Sequence, residues 1–175
     1  VCNEYFELGK DKVVEILKSD VEAALANVEK LMNSKFGDIE NPLLVSVRSG
    51  ARASMPGMMD TILNLGLNDK VVEGLVRKTN NPRFVWDSYR RFVQMYGDVV
   101  LGMKPVNKSD IDPFEAIIEE VKEAKGVKLD TELTVEDLQT LVTKFKAAVK
   151  AQTGHDFPES AYEQLWGAIC AVFDS

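Results

Sequence analysis

Histidine is nearly absent: His155 is the only one in 175 residues. That excludes a histidine-rich metal centre and leaves a Ser-His-Asp triad only one possible route. His155 stands just before a helix-start pattern and reads as a turn residue. Cysteine is scarce too. Cys2 and Cys170 lie at opposite ends and form no CxxC or metal-ligand spacing,. No apolar run approaches the roughly 18 residues that a membrane span needs. No basic segment followed by an apolar one marks a secretory signal. Two thiols without that context predict a reduced, cytoplasmic protein. Eleven glycines and six prolines are too few for collagen-like or low-complexity chain,. Neither a Walker GxxxxGK[ST] loop nor a Rossmann GxGxxG is present. The net charge of −7 argues against nonspecific nucleic-acid binding,. What remains, 45% hydrophobic and 28% charged residues, describes one globular domain, or one domain with an insertion,.

The charge is unevenly spread. Pro42 to Lys104 holds nine basic and five acidic residues, while the rest holds 12 basic and 23 acidic. Every arginine falls in that middle stretch; elsewhere the basic residues are all lysine. Arginine offers a forked donor set suited to phosphate and carboxylate, whereas lysine is a hydrated point charge. A local anion site inside an acidic protein is one reading. A chance cluster on solvated helix faces is the other.

Along the chain, the first residues to about Ser19 read as an irregular helix. Val1 is not an initiator Met, as expected of a chain that begins inside a longer protein. Asp20 is placed to cap a second helix carrying Ala24, Leu25, Val28, Leu31 and Met32, with Gly37 and Asn41-Pro42 ending it. Leu43 to Val47 is a nearly continuous apolar run, the pattern of a strand buried on both faces. Arg48-Ser49-Gly50 follows, then a Pro56-Gly57 turn bracketed by methionines, then Thr61 to Leu65 as a returning strand that Gly66 closes.

From Asn68 the period is helical. Asn68 caps a helix with Val71, Val72, Leu75 and Val76, which Asn80-Asn81-Pro82 breaks. Phe84, Ser88, Phe92 and Met95 share a face of the next, with Gly97 placed to end it. A polar loop leads to a charged helix from about Pro113 to Lys125, ended by Gly126. Thr134 and Asp137 form a capping box before the stripe Leu138, Leu141, Val142, Phe145 and Val149. Asp156 to Glu159 reads as the cap of a final helix with Ala161, Leu165, Ile169 and Val172 on one face.

The segment from Leu43 to Gly66 breaks local rules where the rest obeys them, and such breaks mark functional sites. Arg48 leaves a buried strand directly, so its charge meets either the mouth of the sheet or a bound anion. Ser49 and Gly50 add donors beside it, and Gly57 permits close backbone approach. The plainer alternative is a strand-edge arginine paired to an acid, with Pro56-Gly57 an ordinary turn. Met55, Met58 and Met59 suit either a pocket for a flat ring or core gaps. Asp87 and Arg91, four apart, suit an i,i+4 pair. Arg90 and Arg91 splay to different sides, at least one of them a surface charge. The acidic positions from Glu115 to Glu123 read as a solvated face.

The runs Leu44-Val-Ser-Val-Arg-Ser-Gly-Ala51, Ser54-Met-Pro-Gly-Met-Met-Asp-Thr61 and Leu63-Asn-Leu-Gly-Leu-Asn-Asp69 closely resemble the nucleotide-binding domain of the pyruvate, phosphate dikinase family. So do Asp87-Ser-Tyr-Arg-Arg-Phe92, Met95-Tyr-Gly97, Leu129-Asp-Thr-Glu-Leu-Thr134 and Ala171-Val-Phe-Asp-Ser175. The Val-Arg-Ser signature is shared with phosphoenolpyruvate synthases, whereas Met-Pro-Gly-Met-Met-Asp-Thr points to the dikinase. The resemblance implies a predominantly helical α+β fold, part of an ATP-grasp-like domain with a small β element at about 43–66. It divides the chain into an α/β part, 1–67 plus 154–175, and a helical insertion, 68–153.

The resemblance further implies an enzyme that moves phosphoryl groups from ATP and phosphate to a histidine on a separate swivelling domain, and from there to pyruvate. The products are phosphoenolpyruvate, AMP and pyrophosphate. The parent is expected to be a homodimer using ATP and Mg2+, with no nucleic-acid or membrane partner. Arg48 matches the catalytic, ATP-phosphate-binding arginine, Gly57 the glycine of the nucleotide loop, and Arg91 a second arginine. Ser49, Met58 and Asp60 complete the implied nucleotide contacts. The resemblance places the family's phosphate-binding lysine segment, magnesium ligands, phosphorylated histidine and pyruvate site outside Val1–Ser175, so this chain alone is expected to be inactive. A non-catalytic helical interaction module, resting on the stripes of Thr134–Lys150 and Pro158–Phe173, is the competing reading.

Overall fold

Helices dominate the computed structural model, which describes residues 2–50, 59–103, 105 and 110–175. Helices α1 (Cys2–Leu8) and α2 (Lys10–Met32) part at Gly9, whose φ of 84° lies where a side chain is strained,. Asp20 therefore caps nothing; it sits exposed in the middle of α2. An exposed Asp is tolerated within a long helix, and the backbone reversal at Gly9 sets the boundary instead. Helix α2 ends at Asn33, left-handed at φ 48°, before Gly37 is reached. The Tyr5 hydroxyl donates to Asp174 at 2.6 Å, tying the two ends of the chain together. Burial and that carboxylate push the phenol up to about 12,.

Two short ribbons follow. Strands β1 (Lys35–Phe36) and β2 (Pro42–Leu43) pair in parallel. Strands β3 (Val45–Val47) and β4 (Ile62–Leu65) pair antiparallel, Val45 opposite Leu65 and Val47 opposite Ile62. The apolar run at Leu43–Val47 is thus not one strand buried on both faces. It divides at Leu44 between the ribbons, Ser46 is exposed, and Val45 and Val47 are half-buried. A two-stranded ribbon has one face against the core, and here Ile62 and Leu65 of β4 fill it,.

Helix α3 (Asp69–Thr79) starts where Asn68 Oδ1 accepts from the Val71 N–H at 2.8 Å. Asn80, left-handed, closes it, and Asn81 immediately caps α4 (Pro82–Val99) through the Phe84 N–H at 3.1 Å. Pro82 occupies a first-turn position, where no intrahelical donor is lost,. The inner face of α4 is Val85, Tyr89, Phe92, Val93 and Tyr96, whereas Phe84 is 61% exposed. The expected face is thus rotated towards the tyrosines. Gly97 does not end α4. A Cβ there would stand 2.4 Å from Phe114 Cζ, so this glycine exists to admit the ring.

Helix α5 (Pro113–Lys125) begins with Asp112 Oδ1 accepting from the Phe114 and Glu115 N–H groups at 2.8 and 3.1 Å. Gly126, at φ 70°, ends it. Glu115, Glu119, Glu120 and Glu123 all face solvent, as the acid run implied. Helix α6 (Val135–Thr153) opens on the Thr134–Asp137 capping box, and all five stripe residues are buried. Helix α7 (Ala161–Asp174) is capped by Ser160, not by the Asp156–Glu159 segment. That segment is not helical, and its Phe157 packs against the rings of Phe92 and Tyr96, 5.9 and 5.5 Å away. Helices α4, α6 and α7 enclose the core, and β4 lies along it through Ile62, Leu65 and the following Leu67. Among the described residues, no helix is long and apolar enough to cross a membrane.

Asp137 is buried, and one carboxylate oxygen takes the Thr134 N–H at 3.0 Å while the other meets Lys125 at 2.9 Å. The Lys125 bond, then the Thr134 amide, hold its pKa below the usual carboxylate range,. Asp137→Ala is expected to cost about 1–2 kcal/mol at pH 7, read by urea unfolding. A carboxyl whose folded pKa is depressed stabilises above its unfolded pKa and loses that effect as pH falls through the folded value. The gap between wild type and variant is therefore expected to be full at pH 7 and to narrow below about pH 4. A pH-independent gap would contradict the ionic part of this account.

Candidate functional site

Chain direction fixes the neighbourhood of Arg48. Because β3 and β4 run antiparallel, Arg48 and Ser49 leave β3 at the end where Asp60 and Thr61 enter β4. Arg48 is exposed and forms no ion pair with any carboxylate among the described residues. The strand-edge alternative, an arginine closed in a salt bridge, does not occur there. Ser49 is half-buried, and Gly50 is open, with nothing within 4 Å of a Cβ built on it. Gly57, Met58 and the Pro56-Gly57 turn lie outside the described residues, as do Met55 and Arg52. Met59 is half-buried against the core.

Beside the entry to β4, α4 presents its outer edge. Met95 lies close enough for the Leu63 N–H to reach its sulfur at 3.4 Å. Between them opens a cleft of about 430 Å3 lined by Asp60, Thr61, Arg91, Gln94, Met95, Asp98, Val99 and Asp112. Its size falls in the range of small-molecule sites. Two of the sequence-derived site residues, Asp60 and Arg91, therefore share one wall-to-wall space. Arg48 and Ser49 do not line it; they stand at the ribbon end beside it. Thr61, Gln94, Asp98 and Asp112 were not foreseen. Only the i,i+3 and i,i+4 spacing from Arg91 along α4 signals Gln94 and Met95.

The cleft carries both signs of charge. Arg91 is exposed, and its Nε donates to Asp87 Oδ2 at 3.0 Å, the i,i+4 pair expected from the spacing. Its terminal nitrogens have no partner among the described residues. Asp112 is committed to the α5 N-terminus by two backbone bonds. Arg90 is buried while Arg91 is exposed, so the two do splay to different sides of α4 and one of them is a surface charge. Arg90 donates from Nη2 to Asp87 Oδ1 at 2.6 Å and from Nη1 to Gln94 Oε1 at 3.3 Å, with Asp130 at 3.7 Å. Asp130 in turn meets Lys122 at 2.9 Å, which is the main reason its pKa lies below the ordinary range. Two helices are thus pinned behind the cleft by charge.

Chemically, the arrangement suits an anion with several oxygens. One exposed guanidinium stands at the ribbon end and a second on α4, each a forked donor, while Asp60, Asp98 and Asp112 bring acids to the cleft itself,. Among the described residues no group of three or more His, Cys, Asp or Glu is placed to hold a metal ion. His155 is exposed in the turn after α6, where its N–H bonds Thr153, and it faces no other candidate residue. A second hollow of about 140 Å3, lined by Leu44, Asn64, Leu67, Leu75 and Phe84 among others, is almost wholly apolar and offers no charged group.

The family model described as "Pyruvate phosphate dikinase, AMP/ATP-binding domain" matches residues 13–175. A pyruvate, phosphate dikinase of Clostridium symbiosum is 56% identical over 175 residues, 99% of this chain and 19% of that relative. The relative from Giardia intestinalis is 52% identical over 159 residues, 91% of this chain and 17% of its own length. The chloroplastic one of Mesembryanthemum crystallinum is 50% identical over 174 residues, 99% of this chain and 18% of its length. The chain spans about a fifth of the length of the curated relatives it matches. With a family model covering nearly all of it, this chain belongs to the pyruvate phosphate dikinase AMP/ATP-binding domain family.

Proposed function

We propose that this chain is the ATP-binding part of a pyruvate, phosphate dikinase. In the longer protein it would hold ATP while phosphoryl groups pass to a histidine on a swivelling domain and then to pyruvate. The net reaction interconverts ATP, phosphate and pyruvate with AMP, pyrophosphate and phosphoenolpyruvate. The observation that carries this reading is the pairing of an outward Arg48 at the ribbon end with Arg91 in the adjoining cleft. Phosphoryl transfer asks little covalent chemistry of a protein; it asks for positioning and for cations where charge shifts. Arg48 supplies two parallel donors to phosphate oxygens, with Ser49 and Gly50 adding a hydroxyl and backbone N–H groups beside it. Arg91 steadies a second group of oxygens. Gly57, Met58 and Asp60 complete the nucleotide's surroundings in this reading.

The finer architecture belongs to the same proposal. Residues 1–67 and 154–175 form the partial ATP-grasp-like unit, and 68–153 the helical insertion. Magnesium enters only with the ATP phosphates, held by groups outside this chain, and the parent is a cytoplasmic homodimer. In this reading the 175-residue chain taken alone is inactive.

The test uses a protein of the relatives' length that carries this segment. Supplied with ATP and phosphate, it is expected to form an acid-labile phosphoprotein and, with pyruvate, to yield phosphoenolpyruvate and pyrophosphate. Formation of an acid-stable phosphoester, or no transfer from ATP at all, would contradict the proposal.

A further inference from the structure

Arg90 raises a question that nucleotide binding does not answer. A guanidinium with only 5% of its side chain exposed is costly unless charge and hydrogen bonds offset the loss of water,. Its Nε finds no partner among the described residues. Its one close counter-ion is Asp87, itself 20% exposed, and that carboxylate does not serve Arg90 alone. Oδ1 faces Arg90 at 2.6 Å and Oδ2 faces Arg91 Nε at 3.0 Å. One carboxylate thus joins a buried guanidinium to a cleft guanidinium. Through its other terminal nitrogen Arg90 also holds Gln94, a second cleft residue, at 3.3 Å.

Two physical consequences follow. An arginine on a helix surface has considerable rotamer entropy to lose on gripping a ligand. Anchoring Arg91 by Nε removes much of that freedom in advance and leaves both Nη groups without a partner among the described residues. An ordinary Asp-Arg pair would also cancel the charge that attracts an anion. Here Arg90, which Asp130 also faces at 3.7 Å, offsets part of the Asp87 charge, so Arg91 keeps more of its own charge beside the cleft acids Asp60, Asp98 and Asp112.

We propose that Asp87 is a positioning residue, backed by the buried Arg90, which orients Arg91 in the cleft for the phosphate oxygens of the bound nucleotide. This rests on the reading of the cleft as part of the nucleotide site. Asp87 touches no ligand; it acts through Arg91.

A double-mutant cycle separates that role from simple support of the fold. In the protein of the relatives' length, KM for ATP is measured for wild type, Arg91→Ala, Asp87→Asn and the double variant, with thermal unfolding followed in parallel. Arg91→Ala and Asp87→Asn are each expected to raise KM roughly five- to twentyfold. Asp87→Asn is expected to add nothing further in the Arg91→Ala background. Any loss of thermal stability, by contrast, should appear equally in both backgrounds. Because Asp87→Asn strands a buried charge, the pair D87A/R90M, which replaces both ions by neutral groups, is measured as well and is expected to raise KM to the same extent. If Arg91→Ala raises KM while both Asp87 variants leave it unchanged, or if the two effects multiply in full, the positioning role is wrong and the nucleotide cleft stands. If Arg91→Ala itself leaves KM unchanged, the cleft reading fails and the positioning role falls with it.

Discussion

Gln164→Leu is expected to be the most destabilising single change in this chain. Gln164 is fully buried near the start of α7. Its Oε1 accepts the Gly66 N–H at 2.9 Å, and its Nε2 donates to the Leu67 and Pro158 carbonyls, both at 2.8 Å. One amide therefore satisfies three backbone groups on two segments distant in sequence. Leucine has similar bulk but no polar atom, so the Gly66 N–H and the two carbonyls would lose these partners at once. Each buried polar group left unpaired costs about 1–3 kcal/mol, and partial relaxation lowers the sum, so a loss of about 3–5 kcal/mol is expected. Urea unfolding of the 175-residue chain measures it. Gln164→Glu is the informative companion, because it keeps one acceptor for Gly66 and loses both donations. A loss below about 1 kcal/mol for leucine would mean that the junction between β4 and α7 is not held as described.

The second large effect concerns chemistry. Arg48→Ala, in a protein of the relatives' length, is expected to lower kcat/KM for ATP by about a hundred- to a thousandfold, the scale of losing one preorganised charge donor to a reacting centre. Arg48 is exposed and unpaired with any acid, so its removal is expected to leave thermal unfolding within about 0.5 kcal/mol of wild type,. That contrast matters. A structural arginine would lose stability and activity together, whereas a ligand arginine loses activity alone. Arg48→Lys retains the charge but not the fork, and is expected to recover only part of the loss. A module that merely docks a protein partner would show unchanged turnover in both variants.

Some of this was legible in the residues and some was not, for identifiable reasons. The antiparallel return from Val47 to Ile62 could be read because β-branched runs and Gly66 mark its ends. The buried stripe of α6 could be read because five apolar residues repeat at helical spacing behind an unambiguous cap. Glycine misled where packing, not conformation, was its purpose. Gly97 looks like a helix end but sits in the last turn of α4 to admit the Phe114 ring. Gly9, by contrast, does set a boundary, and the more conventional cap candidate Asp20 does not. The β1–β2 pair is two residues on each side, too short for any periodicity. In the cleft, Arg91 and its pairing with Asp87 follow from spacing. The burial of Arg90 does not, since it depends on Asp130, forty positions away, being folded back over α4. Asp60 and Arg91 meet only because β4 lies beside α4, which no local pattern encodes.

Crystals of the longer protein grown with a slowly hydrolysed ATP analogue give the shortest route to a decision. The account predicts triphosphate oxygens within hydrogen-bond distance of the Arg48 guanidinium, and the Arg91 Nη groups turned towards the same ligand while Nε stays on Asp87. A nucleotide seated elsewhere, such as the apolar hollow by Phe84, with Arg48 facing open solvent, would contradict it.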